Sequence, residues 1–181
     1  MGEVQTFGRV VRRLVPAGMC ALCLLGVLAP IIMSTAPARA GQTQPAKAPE
    51  LSGRDTLGVQ RNLSDYLGKK PLLLEFMSLG CPYCLEMAPV LARVHAAYGD
   101  RVQFLTVVFD PDAKRIQQFA AAEKHTWPYL VGAPPIIDAY KLKGVPAMFF
   151  LTRDGRILHN HAGLLPEKEL REHLDSLLKA K

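Results

Sequence analysis

Two cysteines separated by two residues, Cys81-Pro82-Tyr83-Cys84, are the part of this 181-residue sequence best suited to chemistry. They follow the apolar run Leu72 to Met77, which reads as a buried parallel strand, and they open a helix-periodic segment starting at Pro82. A cysteine just outside a helix N-terminus meets unpaired backbone N–H groups and the positive end of the helix dipole. Both favour thiolate over thiol. Proline at the first helical position removes no donor the helix needs. Two intervening residues let the sulfurs meet across one turn, so a disulfide can open and close without rebuilding the fold. The pattern predicts a dithiol/disulfide redox site. A purely structural disulfide is the alternative, but a bridge closing so short a loop removes little chain entropy and stabilises little.

The compartment follows from the first forty residues, which differ in composition from the rest. Arg9, Arg12 and Arg13 precede an apolar stretch from Leu14 to Met33, and Ala38-Arg39-Ala40 offers small residues at a cleavage site. This predicts export behind a signal peptide over 1–40. An uncleaved N-terminal anchor is the alternative, because about 20 apolar residues suffice to span a bilayer. Cys20 and Cys23 lie inside that stretch and lack the small preceding residues of a lipoprotein site. The exported part then holds Cys81 and Cys84 alone. Four of the basic and one of the acidic residues fall in the leader, so a formal charge of +6 becomes +3 for 41–181. That is no nucleic-acid signature. Residues 41–50, rich in Pro, Ala and Gln, read as a flexible linker, and 51–181 as one domain.

The elements that must position the cysteines are legible by pattern. Asn62 to Gly68 reads as a strand end and a one-turn helix capped by Ser64 and stopped by Gly68. The helix from Pro82 carries Met87, Leu91, Val94 and Tyr98 on one face and ends near Gly99, with Pro89 inside it. Val102 to Phe109 is a second buried strand. Asp110-Pro111 reads as the cap of a helix running to about Lys124. Trp127 to Val131 reads as a short strand, and Pro134-Pro135 opens a short helix. Ala147 to Leu151 and Ile157 to His161 flank Asp154-Gly155, a hairpin signal. Leu170, Leu174, Leu177 and Leu178 make one face of a final helix from Pro166. The order is β-α-β, an inserted α-β-α, then β-β-α.

That order, with Cys-x-x-Cys at a helix start and Gly144-Val145-Pro146 further on, resembles the thioredoxin superfamily. The insertion resembles its exported TlpA/ResA-like branch. Leu74-Glu75-Phe76, Pro89, Asp154-Gly155 and Ala162-Gly163-Leu164 carry the rest of the likeness. The resemblance implies an α/β thioredoxin-like fold with a central mixed sheet flanked by helices. It implies a thiol:disulfide oxidoreductase that needs no cofactor beyond the Cys81–Cys84 disulfide. Cys81 is then the attacking thiolate, Cys84 the buried resolving thiol and Pro146 a cis-proline facing them. Pro82, Tyr83 and the Val145 backbone would meet an extended client segment. Glu75 would be the buried acid that accepts the Cys84 proton through water, since a carboxyl in an apolar strand has a raised pKa. An edge-exposed or helix-paired glutamate is the alternative. Gly80 replaces the tryptophan that usually precedes the first cysteine.

The branch implies a periplasmic or otherwise extracytoplasmic monomer. It would reduce client proteins during cytochrome c maturation or copper-centre assembly and draw electrons from a membrane thiol relay. A DsbA-like oxidase or isomerase is the reverse reading. A copper or zinc carrier using the cysteines with His125, His159 or His161 is the non-enzymatic one. His95, His173 and Glu86 read as solvated helix positions.

Overall fold

The protein was analysed as a computed structural model that describes residues 46–180. The leader expected over 1–40, with Cys20 and Cys23, lies outside the described residues, as does the first half of the expected linker.

The described residues form seven strands and four α-helices: β1 Ser52–Asp55, β2 Gln60–Asn62, β3 Leu72–Met77, α1 Pro82–Tyr98, β4 Gln103–Val108, α2 Ala113–Ala122, β5 Tyr129–Val131, α3 Pro134–Ala139, β6 Ala147–Leu151, β7 Ile157–Ala162 and α4 Glu167–Lys179. They form one mixed sheet in the order β2-β1-β5-β4-β3-β6-β7. β3 pairs parallel with β4 and antiparallel with β6, so the strand leading to Cys81 is central. Its six residues are all buried because both faces are covered. Leu73 and Met77 point to the layer that holds Met87, Leu91 and Val94 of α1 and Leu170, Leu174 and Leu177 of α4. Leu72, Leu74 and Phe76 point to the other layer, with Ile136 and Tyr140 around α3. Glu75 alternates with the first set and therefore lies on the α1 side.

Several expectations need correction. The one-turn helix spans Leu63–Tyr66 and is capped by Asn62, not Ser64; the Asp65 carboxylate accepts the Asn62 N–H at 2.8 Å. An acid three residues on gives Asn62 the reciprocal partner that Ser64 lacks. The helix after Asp110-Pro111 begins later, with Asp112 accepting the N–H groups of Lys114 and Arg115. Residues 46–50 are docked on the domain. The Ile157 and Ala48 N–H groups donate to Ala46 and Gly155 carbonyls at 2.8 Å each, and the Tyr140 hydroxyl donates to the Pro49 carbonyl at 2.6 Å. Composition reports side chains, while backbone groups can still pair at an unfilled edge of β7. Finally, His95 packs on Phe104 and Trp127, and His173 on Phe150 and His159, so neither is simply solvated.

Gly155 adopts φ +84°, which the Asp154-Gly155 turn requires, and a Cβ there would lie 2.8 Å from Leu67. Leu174 is fully buried where α4 meets α1 and β6. Leu174→Ala is expected to cost about 2–5 kcal/mol, read as a lower urea midpoint with an unchanged slope.

Candidate active site

Cys81 is the N-cap of α1, and its Sγ accepts the Cys84 N–H at 3.3 Å. The helix therefore ends on the sulfur itself. The same Sγ lies 3.3 Å from the Val145 carbonyl, which accepts its S–H. The Val145–Pro146 peptide bond is cis, and the Gly163 N–H donates to the Pro146 carbonyl at 2.8 Å. Cys81 is partly exposed, whereas Cys84 is 1 % exposed. Burial foremost, then the bond to Cys81, push the Cys84 thiol up to about 12. Pro82 and Tyr83 stand in solvent on the first turn, Tyr83 with 59 % of its surface free. The loop thus offers one sulfur outward and keeps the other inside.

Glu75 is 3 % exposed, and burial raises its carboxyl to about 7. The opposing influence is one hydrogen bond, from Thr106 Oγ1 to Glu75 Oε2 at 2.8 Å. Its charge also acts on Cys84, which places the two in one electrostatic unit. A buried glutamate on the central strand, bonded to Thr106, replaces both the edge-exposed and the helix-paired alternatives. A carboxyl that titrates near neutrality beside a thiol is suited to holding a proton in transit.

The surrounding network was not read from the sequence. Trp127 Nε1 donates to Thr106 Oγ1 at 2.9 Å. His125 stacks on Trp127 with centroids 4.0 Å apart, and its Nδ1 makes a short hydrogen bond with the Tyr129 hydroxyl. His125 Nε2 faces the Ala88 carbonyl at 2.9 Å. Both ring nitrogens are committed, so His125 is not free to hold a metal with the cysteines. His159 Nε2 lies 3.4 Å from Ser176 Oγ, and His161 Nε2 lies 3.0 Å from the Leu164 carbonyl. No group of three or more metal-ligating side chains occurs among the described residues. One signal was available: His125, Trp127 and Tyr129 alternate along the segment that leads into β5, which starts at Tyr129 and not at Trp127 as the pattern suggests.

The model of the Redoxin family matches residues 41–178, most of the chain. The chain belongs to the Redoxin family. Among curated relatives of this Redoxin, thiol-disulfide oxidoreductase YkuV of Bacillus subtilis is 28 % identical over 72 % of this chain and 93 % of its own. Thiol-disulfide oxidoreductase ResA of Geobacillus thermodenitrificans is 24 % identical over 72 % of this chain and 75 % of its own. The thioredoxin domain of a Bacteroides vulgatus thiol-disulfide oxidoreductase superposes with a TM-score of 0.66 at 21 % identity, covering 75 % of this Redoxin and 98 % of that chain. The exposed lipoprotein thioredoxin Etrx1 of Streptococcus pneumoniae superposes at 0.61 and 23 % identity, over 71 % and all of its length. These structures establish the thioredoxin-like fold. The family match and these relatives support the TlpA/ResA-like branch of the thioredoxin superfamily, and the activity is thiol–disulfide oxidoreduction on protein substrates.

Proposed function

We propose that the protein is an extracytoplasmic reductase of client disulfides. The Cys81 thiolate attacks a client disulfide, forming a mixed disulfide and expelling one client thiolate. Cys84 then attacks Cys81, closes the Cys81–Cys84 disulfide and releases the second client thiolate, while its own proton passes to Glu75 through water. The client leaves with two electrons more. Clients of the kind needed in cytochrome c maturation or copper-centre assembly, and a membrane thiol relay that restores the dithiol, complete the cycle. The basic and apolar leader supports an exported protein, with a cleaved signal peptide favoured over an anchor.

The observation that carries this reading is the unequal exposure of the two sulfurs, Cys81 partly exposed at the N-cap of α1 and Cys84 1 % exposed beneath it. The reductive direction is supported by the resemblance to the TlpA/ResA-like branch and by relatives such as ResA. The reduction potential in glutathione or dithiothreitol buffers tests this. A value at or below about −220 mV is expected; one near about −120 mV would make the protein an oxidase. Tightly bound copper or zinc with no reversible titration would make it a metal carrier.

A further inference from the structure

Glu75 presents its two carboxyl oxygens differently. Oε2 accepts from Thr106 Oγ1 at 2.8 Å. Oε1 receives no hydrogen bond, yet no sealed polar side-chain atom among the described residues lacks a partner, so Oε1 is the oxygen that still meets solvent. The Thr106 end of the first bond is fixed from behind. A threonine hydroxyl can donate or accept, and its single hydrogen turns to suit its neighbours. The indole N–H of Trp127 can only donate, and Nε1 lies 2.9 Å from Thr106 Oγ1. One lone pair of Oγ1 is thereby taken, and the Thr106 hydrogen is left to face the carboxylate. Trp127 itself has little room to move: it is 6 % exposed, with ring centroids of His125, His95 and Phe104 at 4.0, 4.7 and 5.4 Å from its own. His125 is in turn held by the Ala88 carbonyl of α1 at 2.9 Å. The run of contacts starts on the helix that carries both cysteines and ends on Glu75.

We propose that Trp127 is a positioning residue for Glu75, whose indole N–H fixes the Thr106 hydroxyl as donor to Oε2 and so leaves Oε1 to take the Cys84 proton. An N–H that donates to a hydroxyl polarises it and makes it the stronger donor in turn. A bond to an ionised acceptor gains most from this. The chain therefore favours the carboxylate, against the burial that favours the acid, and keeps a base available beside the thiol. When Cys84 attacks Cys81, its proton leaves the sulfur and arrives on Oε1 through water, while the Thr106 bond to Oε2 stays in place. Both hydrogens of the chain keep their acceptors in either state, so no buried donor is stranded. The other groups that face Glu75 leave this role to Trp127 and Thr106: β6 presents Met148 opposite it, and the titratable neighbours are Cys84 from α1 and Tyr129 from β5, none of them a cation. The use of this chain in catalysis rests on Glu75 being the acceptor of the Cys84 proton.

Trp127 is the single tryptophan of the chain, so its indole can be changed alone. Biosynthetic replacement of tryptophan by benzothienylalanine exchanges the N–H for a sulfur and keeps the size of the ring. Carbon-13 NMR of the full-length reduced protein follows the Glu75 titration, with Glu75→Gln assigning the signal. The replaced protein should titrate higher than the parent by roughly half a pH unit, and Thr106→Val higher by about one. Thr106→Ser keeps the hydroxyl and should titrate like the parent. A loosened core would admit water and move the midpoint down, so the sign separates a lost bond from a merely structural role. In the parent, the lone indole N–H signal should shift with the Glu75 midpoint. An unmoved or lowered midpoint in the replaced protein, or an indole signal that ignores the Glu75 titration, would overturn the proposal. The pH profile of mixed-disulfide release, run on the same proteins, should move to higher pH with the midpoint. Midpoints that shift while that profile stays still would uphold Trp127 as positioning residue for Glu75 and sink Glu75 as proton acceptor.

Discussion

Replacing Cys84 with serine is expected to end turnover and leave Cys81 joined to its client in a disulfide that dithiothreitol reverses. The expectation comes from the unequal exposure of the two sulfurs. Cys81 caps α1 at the surface and Cys84 is 1 % exposed beneath it, so an incoming client sulfur meets Cys81 first. Once the mixed disulfide forms, the nearest nucleophile is Cys84, whose backbone N–H already points at Cys81 Sγ. Serine keeps the size of the side chain and removes the nucleophile, so the intermediate has no internal route out. Turnover should fall at least about 10³-fold, the scale of losing a member of a covalent catalytic unit. Cys81→Ser should be as inactive but accumulate no adduct. Non-reducing gel mobility and intact mass distinguish the two variants. Adducts that form through Cys84 in the Cys81→Ser protein would reverse the assigned roles.

The placement of these two cysteines was legible because the signals for it are local. A buried strand, a two-residue spacing and a proline at the first helical position all lie within Leu72 to Cys84, and β3 and α1 start where the pattern puts them. The leucines of α4 were legible for the same reason: a helix declares its buried face in its own period. The hairpin of β1 and β2 went unread. Ser52-Gly53-Arg54-Asp55 and Gln60-Arg61-Asn62 are polar and largely solvent-facing, and they are strands because β5 offers an edge to pair with. The support for Glu75 was hidden by distance along the chain. Its partner Thr106 comes from β4, and the group that holds Thr106 comes from the segment before β5. No window of sequence contains all three, and only the parallel register of β3 with β4 and β4 with β5 puts them side by side.

That register has an energetic consequence with a definite sign. The Glu75 carboxyl titrates near 7 in the fold against 4.5 when unfolded, so folding disfavours its charged form. Stability is therefore unpenalised below about pH 4.5, falls as pH rises through the window between the two values, and stays lower above it. Glu75→Gln keeps the shape and the hydrogen bond from Thr106 but cannot ionise. Its stability advantage over the parent should grow by about 3 kcal/mol between pH 4.5 and about pH 8, the free energy of so large a shift. His125 runs the other way: burial holds it at about 4, so its contribution is present above 6.5 and is lost as pH falls towards 4. That effect is common to both proteins and cancels in their difference, which is why the comparison isolates Glu75. Urea unfolding of the two proteins across this range is the measurement. A constant difference would mean that Glu75 ionises as easily inside as outside and is too weak a base to take the Cys84 proton. A growing difference, together with slower release of mixed disulfides in Glu75→Gln at neutral pH, would mean that the protein keeps an uncomfortable carboxyl in its core because Cys84, held near 12, otherwise has nowhere close to send its proton.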